Sequence, residues 1–153
     1  MKITPYEDRY APDFLRLNRK WLEDFDLLED ADAKYLNFPR ESIIEQGGQI
    51  FFAVEREVVV GTCAAICHCS EVIEIAKLVV APLAQQRGIG RLLTQTVIEY
   101  ARSIGARKVS LISSTRLKSA LRLYESMGFV HASLPVQPEY ASADVYMELV
   151  LLD

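Results

Sequence analysis

Gln85-Gln86-Arg87-Gly88-Ile89-Gly90-Arg91 stands between the apolar run Leu78-Val79-Val80 and a long amphipathic stretch, so a strand passes through a glycine-bearing turn into a helix. Such a junction favours an anion. Gly88 and Gly90 carry no side chain to hold a ligand off the backbone, and the first turn of a helix presents unpaired N–H groups with about half a positive charge. Arg87 and Arg91 add fixed charge at the rim, and a diphosphate fits such a nest. An ordinary helix-start turn would use the same glycines, and spacing alone leaves both readings open. Two nucleotide motifs are excluded: no Gly-Lys-Ser/Thr follows the loop, and no third glycine completes G-x-G-x-x-G.

Other residues offer chemistry less directly. Glu74, by period two, shares a strand face with Ala76, Leu78 and Val80; there it is either a proton acceptor or a surface carboxylate paired with Lys77 or an arginine. Cys63, Cys67, His68 and Cys69 are of metal-ligating types. Alternation, however, puts the three thiols on one face and His68 on the other, and C-x-C in a strand lacks the turn that wraps a tetrahedral site. Thiols filling a sheet surface are the expectation, with no metal, and His131 reads as structural. Leu117, Ala120, Leu121 and Tyr124 lie at helical spacing, which makes Tyr124 a core ring with its hydroxyl at the edge unless chemistry claims it.

The elements that must hold these residues change period along the chain. A short strand at Lys2 to Tyr6 precedes an amphipathic helix carrying Phe14, Leu17, Trp21, Leu22 and Phe25, and a shorter helix is expected around Arg40 to Gln46 before Gly47-Gly48. Gln49 to Glu55, Val58 to Cys69 and Val72 to Val80 read as an antiparallel meander. The spacing of Ile89, Leu92, Leu93, Val97, Tyr100, Ala101 and Ile104 predicts a helix from Gly88 to Ile104, stopped by Gly105. Strands at Lys108 to Ser113, Phe129 to Ser133 and Asp144 to Leu151, with a helix from Leu117 to Met127, complete a mixed α/β (α+β) sheet with helices on its faces.

The 153 residues suit one domain, 1–153, with no linker or internal repeat. Seventeen Lys and Arg against 21 Asp and Glu give a net charge of -4, which argues against nucleic acid as a partner. The longest apolar stretch, Val58 to Cys67, is about half the ~20 residues a membrane helix needs, so no membrane span is expected. The N-terminus lacks an apolar signal core, and a cytoplasmic location with reduced cysteines follows as the expectation.

Gln85-x-x-Gly88-x-Gly90 resembles the Q/R-x-x-G-x-G/A acyl-CoA pyrophosphate loop of the GNAT superfamily of N-acetyltransferases. Ala120-Leu121-Arg122-Leu123-Tyr124-Glu125-Ser126-Met127-Gly128-Phe129 is similar to that superfamily's A-x-x-L-Y-E-x-x-G-F segment, and the two motifs stand in the expected order. The resemblance covers about Gln49 to the C-terminus. It implies a mostly antiparallel central sheet splayed after the fourth strand, Val72 to Val80, with acetyl-CoA as co-substrate entering the gap. Leu78, Val79, Val80 and the loop residues Gln85, Gln86, Arg87, Gly88, Ile89, Gly90 and Arg91 would hold it, and an N–H near Val80 would face the thioester carbonyl. Tyr124 would hydrogen-bond or protonate the leaving thiolate. Many relatives place an Asn before the Tyr helix to hold the pantetheine; here Ser114 or Thr115 stands as the substitute.

The acceptor implied is an amine. An alkylammonium at pH 7 must lose a proton at a cost of roughly 4.6 kcal/mol, and Glu74, eleven residues before Gln85, matches the spacing of the base in the histone-acetylating branch. The implied activity is direct transfer from acetyl-CoA to a primary amine of a small molecule or peptide. A silent acyl-CoA-binding module and an acetyltransferase for protein N-termini or lysines are the rivals, and family precedent allows a homodimer. The segment joining the first two helices forms an acceptor wall in that superfamily. Here Glu23 to Asp32 holds six carboxylates and no Lys or Arg, so Asp26, Glu29 and Asp30 would attract a cation, with Tyr140 and Glu139 opposite.

Overall fold

The computed structural model describes residues 1–135 and 140–151. Among them seven strands form one sheet: β1 (Lys2–Pro5), β2 (Gln49–Glu55), β3 (Val58–Cys69), β4 (Val72–Val80), β5 (Lys108–Ser113), β6 (Val130–Ala132) and β7 (Val145–Val150), in the order β1-β2-β3-β4-β5-β7-β6. The β2–β3 turn is made by Arg56 and Glu57 with φ of 51° and 67°, the double left-handed geometry that matches strand twist in a two-residue hairpin. Every pairing is antiparallel except β4 with β5.

Helices cover both faces. α1 (Ala11–Asp24) and the short α2 (Ala33–Asn37) lie over one face, where Phe14, Ile43, Ile50 and Phe52 are fully buried. α3 (Ile89–Ser103) and α4 (Lys118–Ser126) lie over the other, against Ile73, Ile75, Val109, Leu111 and Met147. Full burial of Leu93 and Val97 on α3 is worth about 1.5–3 kcal/mol each. Gly61 on β3 lets α3 seat, since a Cβ there would lie 3.2 Å from Leu93 and 3.3 Å from Ile89. The helix expected around Arg40 to Gln46 is a single π-helical turn, Arg40–Ile44, and α2 had no periodic pattern long enough to announce it.

Two irregularities of β4 position the site. Its parallel pairing with β5 covers only Val72–Glu74 against Lys108–Ser110, although β4 runs on to Val80 and β5 to Ser113. The strands therefore part, and the β4 edge beyond Glu74 loses its backbone partner on that side. On the other side, Thr62 pairs Val79 and Ala64 pairs Ala76, so Cys63 faces both Lys77 and Leu78. This is a β-bulge, with Lys77 left-handed at φ 55°. The extra residue inverts the alternation beyond it. Glu74 and Ala76 keep the α1 face, but Leu78 and Val80 pack with the α3 side, which corrects the single shared face that period two suggested.

Candidate active site

A cleft of about 470 Å³ opens where β4 leaves β5. Leu78, Val79, Val80, Gln85, Gln86, Gly88, Ile89 and Gly90 line it. Gly88 precedes α3 at φ 82°, and a Cβ built on it would meet nothing within 4 Å, so its backbone is open to the cleft. Gln86 is also left-handed, at φ 64°. Left-handed residues of this kind turn successive N–H groups to one side, the geometry of an anion nest. Leu92 N–H makes the first ladder bond, to Gly88 at 3.0 Å, and the N–H groups of Ile89, Gly90 and Arg91 lie ahead of it. The cleft thus fits an extended ligand carrying a diphosphate at one end and amides along its length.

Three residues expected in this cleft do not line it. Arg87 is bonded to the Glu55 carboxylate through both terminal nitrogens, and Arg91 donates to Ser126 Oγ at 2.6 Å. Ser114 lies in the neighbouring pocket, where its Oγ accepts the Arg116 N–H. Gln85 turns back on its own loop, donating to the Val80 carbonyl at 3.1 Å. Positive charge at the cleft comes instead from Arg116 and Lys118, and its α1 side is the tilted ring pair Trp21 and Phe25, with centroids 4.9 Å apart. The i, i+4 spacing of that pair on α1 was visible in the sequence, but nothing local tied it to a loop sixty residues on.

On the α1 face of the sheet, the second cavity, about 120 Å³, shares Leu117 with the cleft. Asn18, Asp32, Glu74, Lys77 and Tyr140 line it together with Leu22, Leu27, Ala76 and Ile112. The Glu74 side chain is 8% exposed, and its Oε1 is hydrogen-bonded to His68 Nε2 rather than to Lys77 or an arginine. Lys77 is carried onto the same face by the bulge. Its Nζ donates to Asp32 Oδ1 and to the Tyr140 hydroxyl, the latter at 2.9 Å. With Lys77 and Asp32 at 7% and 2% exposure, this is a buried ion pair whose members depend on one another. Neither Lys77 nor Asp32 stood out by spacing, because they meet across 45 residues of sequence.

The acidic segment is differently disposed from the expected charged wall. Asp26 and Asp30 are exposed and line neither cavity, while Glu23 and Asp24 pair with Arg19 and Lys20 on the surface of α1. Glu29 accepts N–H bonds from Ala141 and Ser142 and an O–H bond from Ser142, fastening the loop before β7. Burial opposes its charge, yet these hydrogen bonds and the nearby Lys77 hold its carboxyl below the usual carboxylate range. Tyr140 does reach the pocket; Glu139 lies outside the described residues.

Tyr124 is 7% exposed, lines neither cavity, and packs 5.6 Å from Phe129. Burial pushes its phenol well above the ordinary value, with Cys63 adding to the shift, so it stays protonated as a hydrogen-bond donor. Cys63 is buried and its thiol is pushed up by that burial. Cys67 and Cys69 line neither cavity, and all three thiols are free.

The model of the acetyltransferase (GNAT) family matches residues 11–129, which include the cleft loop, Glu74 and Tyr124. The chain belongs to the GNAT acetyltransferase family. Its sequence is 32% identical over 124 residues to an uncharacterized N-acetyltransferase of Methanocaldococcus jannaschii, covering 76% of this chain and 55% of that protein. The chain spans about half the length of the curated relatives it matches. A GNAT-family acetyltransferase from Staphylococcus aureus superposes with a TM-score of 0.89 at 19% identity, covering 99% of both chains. An aminoglycoside 6'-N-acetyltransferase complexed with coenzyme A superposes at 0.75 and 17% identity, covering 100% and 98%. At such identities the likeness shows the GNAT fold alone. Among the described residues no helix is long and apolar enough to cross a membrane, and no three His, Cys, Asp or Glu side chains could hold a metal ion.

Proposed function

We propose that this chain is one N-acetyltransferase domain that moves an acetyl group from acetyl-CoA directly to a primary amine, both bound at once. The observation that carries the reading is Glu74: a carboxylate buried on β4 in a small cavity that abuts a larger, glycine-lined cleft. The cleft loop from Gln85 to Gly90 would hold the diphosphate, and the unpaired β4 edge from Leu78 to Val80 would take the amide-bearing arm as an added strand. When bound, acetyl-CoA supplies the activated acetyl group. Glu74 accepts the proton of the acceptor ammonium, and a β4 N–H near Val80 donates to the oxygen on which negative charge develops. Tyr124 offers its O–H to the departing sulfur; with its acidity suppressed by burial, it acts by hydrogen bonding more than by full proton transfer. Direct transfer agrees with the cysteines, since Cys63 is held as a thiol and the other two stand away from both cavities.

The test is thiol release from acetyl-CoA across a panel of spermidine, butylamine, kanamycin, alanine and a short peptide. The expected result is amine-dependent release with the acetylated amine found by mass spectrometry. Tight CoA binding without amine-dependent release from any acceptor would make the chain an acyl-CoA-binding module instead.

A further inference from the structure

We propose that His68 and Glu74 form a proton-exit relay, in which the imidazole carries to solvent the proton that Glu74 takes from the acceptor; this rests on Glu74 being the base. The need for an exit is set by burial. Glu74 is 8% exposed and faces a cavity that the acceptor itself would fill, so a proton left on it has no route out through that mouth. His68 supplies one. Its Nε2 meets Glu74 Oε1, and its side chain is 49% exposed, so one end of the contact lies in the pocket wall and the other is reached by water.

The contact is built by the strand. Ile66 pairs directly with Glu74, and His68 is two residues further along β3 on the same face. The β3–β4 register slips again between Cys67 and Cys69, so His68 is the additional residue of a second bulge. Bulges re-aim side chains, and this one directs an imidazole over its neighbour's carboxylate. Two lysines of the neighbouring strands have partners of their own. Lys77 on β4 is bonded to Asp32 and Tyr140, while Lys108 on β5 is bonded to Glu148 on β7, which also accepts from Tyr146. Both lysines are thus engaged with other carboxylates.

The proton balance closes. With Glu74 ionised, the neutral imidazole donates Nε2–H to it. The acceptor ammonium gives one proton to Glu74, and the exposed ring exchanges with solvent to its Nδ1–H tautomer, so that Nε2 accepts from the Glu74 carboxyl. Glu74 then passes its proton to Nε2 as the Nδ1 proton leaves to water or buffer, which restores the starting tautomer. One proton leaves the ammonium and one enters bulk water, with Glu74 again a carboxylate. His68 acts through Glu74 and is a positioning and relay residue that need not touch the acceptor.

The experiment compares wild type, His68→Gln and Glu74→Gln with the amine of the panel that turns over best, with and without added imidazole. His68→Gln keeps a hydrogen-bonding group but cannot carry a proton. It is expected to lower kcat/KM for the amine about tenfold, to recover with imidazole, and to leave KM for acetyl-CoA unchanged. Wild type should not respond to imidazole. Wild-type kinetics in His68→Gln beside a slow Glu74→Gln, or a loss that imidazole does not restore, would overturn the relay and leave the base assignment standing. Wild-type kinetics in Glu74→Gln would instead remove the base on which the relay depends. A second readout needs no turnover. The chain has two histidines, and nitrogen NMR of the free protein should show the His68 Nε2 signal move in Glu74→Gln while His131, 3.9 Å from Glu125, stays put. An unmoved His68 signal would mean that the contact is absent in solution, which also overturns the relay.

Discussion

The cleft and the pocket lie side by side, share Leu117, and are built in opposite ways. One wall of the cleft is local, made by the end of β4, a loop with two left-handed residues and the first turn of α3, all within Leu78 to Gly90; Trp21, Phe25 and residues from Arg116 to Leu123 form the other. The pocket is mainly side chains, drawn from α1, the turn before α2, β4, β5 and the loop before β7, with a buried ion pair in its wall. On the proposed reading, such a division would leave the acyl-CoA end set largely by local geometry and let the acceptor end vary with a handful of tertiary contacts.

The largest effect should come from the cleft. Gly88→Glu puts an L side chain at φ 82° and a negative charge where the diphosphate is proposed to lie, and it should weaken CoA binding by more than about 100-fold. Nothing lies within 4 Å of the added Cβ, but the left-handed backbone strains any L side chain, so Gly88→Ala, which carries the strain without the charge, is the control for the calorimetry. Unchanged affinity would place the diphosphate elsewhere.

The pocket is broken differently. Lys77→Met keeps the length of the side chain but strands Asp32 as a buried, uncompensated charge, and should cost about 3 kcal/mol in denaturant unfolding. If the two regions are as separate as their construction suggests, KM for the amine rises while CoA affinity holds. Equal losses at both sites would show that the pocket walls also support the cleft.

This contrast also decides what could be read from the sequence. The strands from Gln49 to Val80, the helix after Gly88 and the cleft loop were legible because each depends on neighbours in the chain: period, turn residues and a glycine just before a helix. The pocket was legible only in Glu74 and Tyr140. Alternation along β4 misplaced Leu78 and Val80 because no local signal marks the bulge at Lys77, a non-glycine residue held left-handed by its pairing with Asp32 and Tyr140. The acidic run from Glu23 to Asp32 suggested an electrostatic wall. In the fold its members divide among surface pairs, a loop fastening and the partner of Lys77, roles set by residues far off in sequence.

Smaller effects sharpen the comparison. Tyr124 is buried in the core, next in sequence to Leu123, which lines the cleft, and on the proposed role Tyr124→Phe should lower kcat about tenfold with acetyl-CoA affinity nearly unchanged, as measured by single-turnover rates against equilibrium binding. An unaltered kcat would leave Tyr124 as packing alone. Glu29→Gln should cost about 1 kcal/mol at pH 7 by loosening the loop before β7. The folded-state pKa of Glu29 is lowered, so its contribution is present above the ordinary carboxylate range and disappears as pH falls through the lowered value. The Tm difference between variant and wild type should therefore narrow on acidification. A difference constant with pH would mean that the carboxylate's charge plays no part in holding the loop.

Whether cleft and pocket work as two sites filled together is tested most directly by initial-rate kinetics with acetyl-CoA and the best amine varied against each other. Direct transfer predicts double-reciprocal lines that intersect, because both substrates must be bound before the acetyl group moves. Parallel lines, with acetylated protein trapped in the absence of amine, would show a covalent acyl-enzyme and contradict the two-site account.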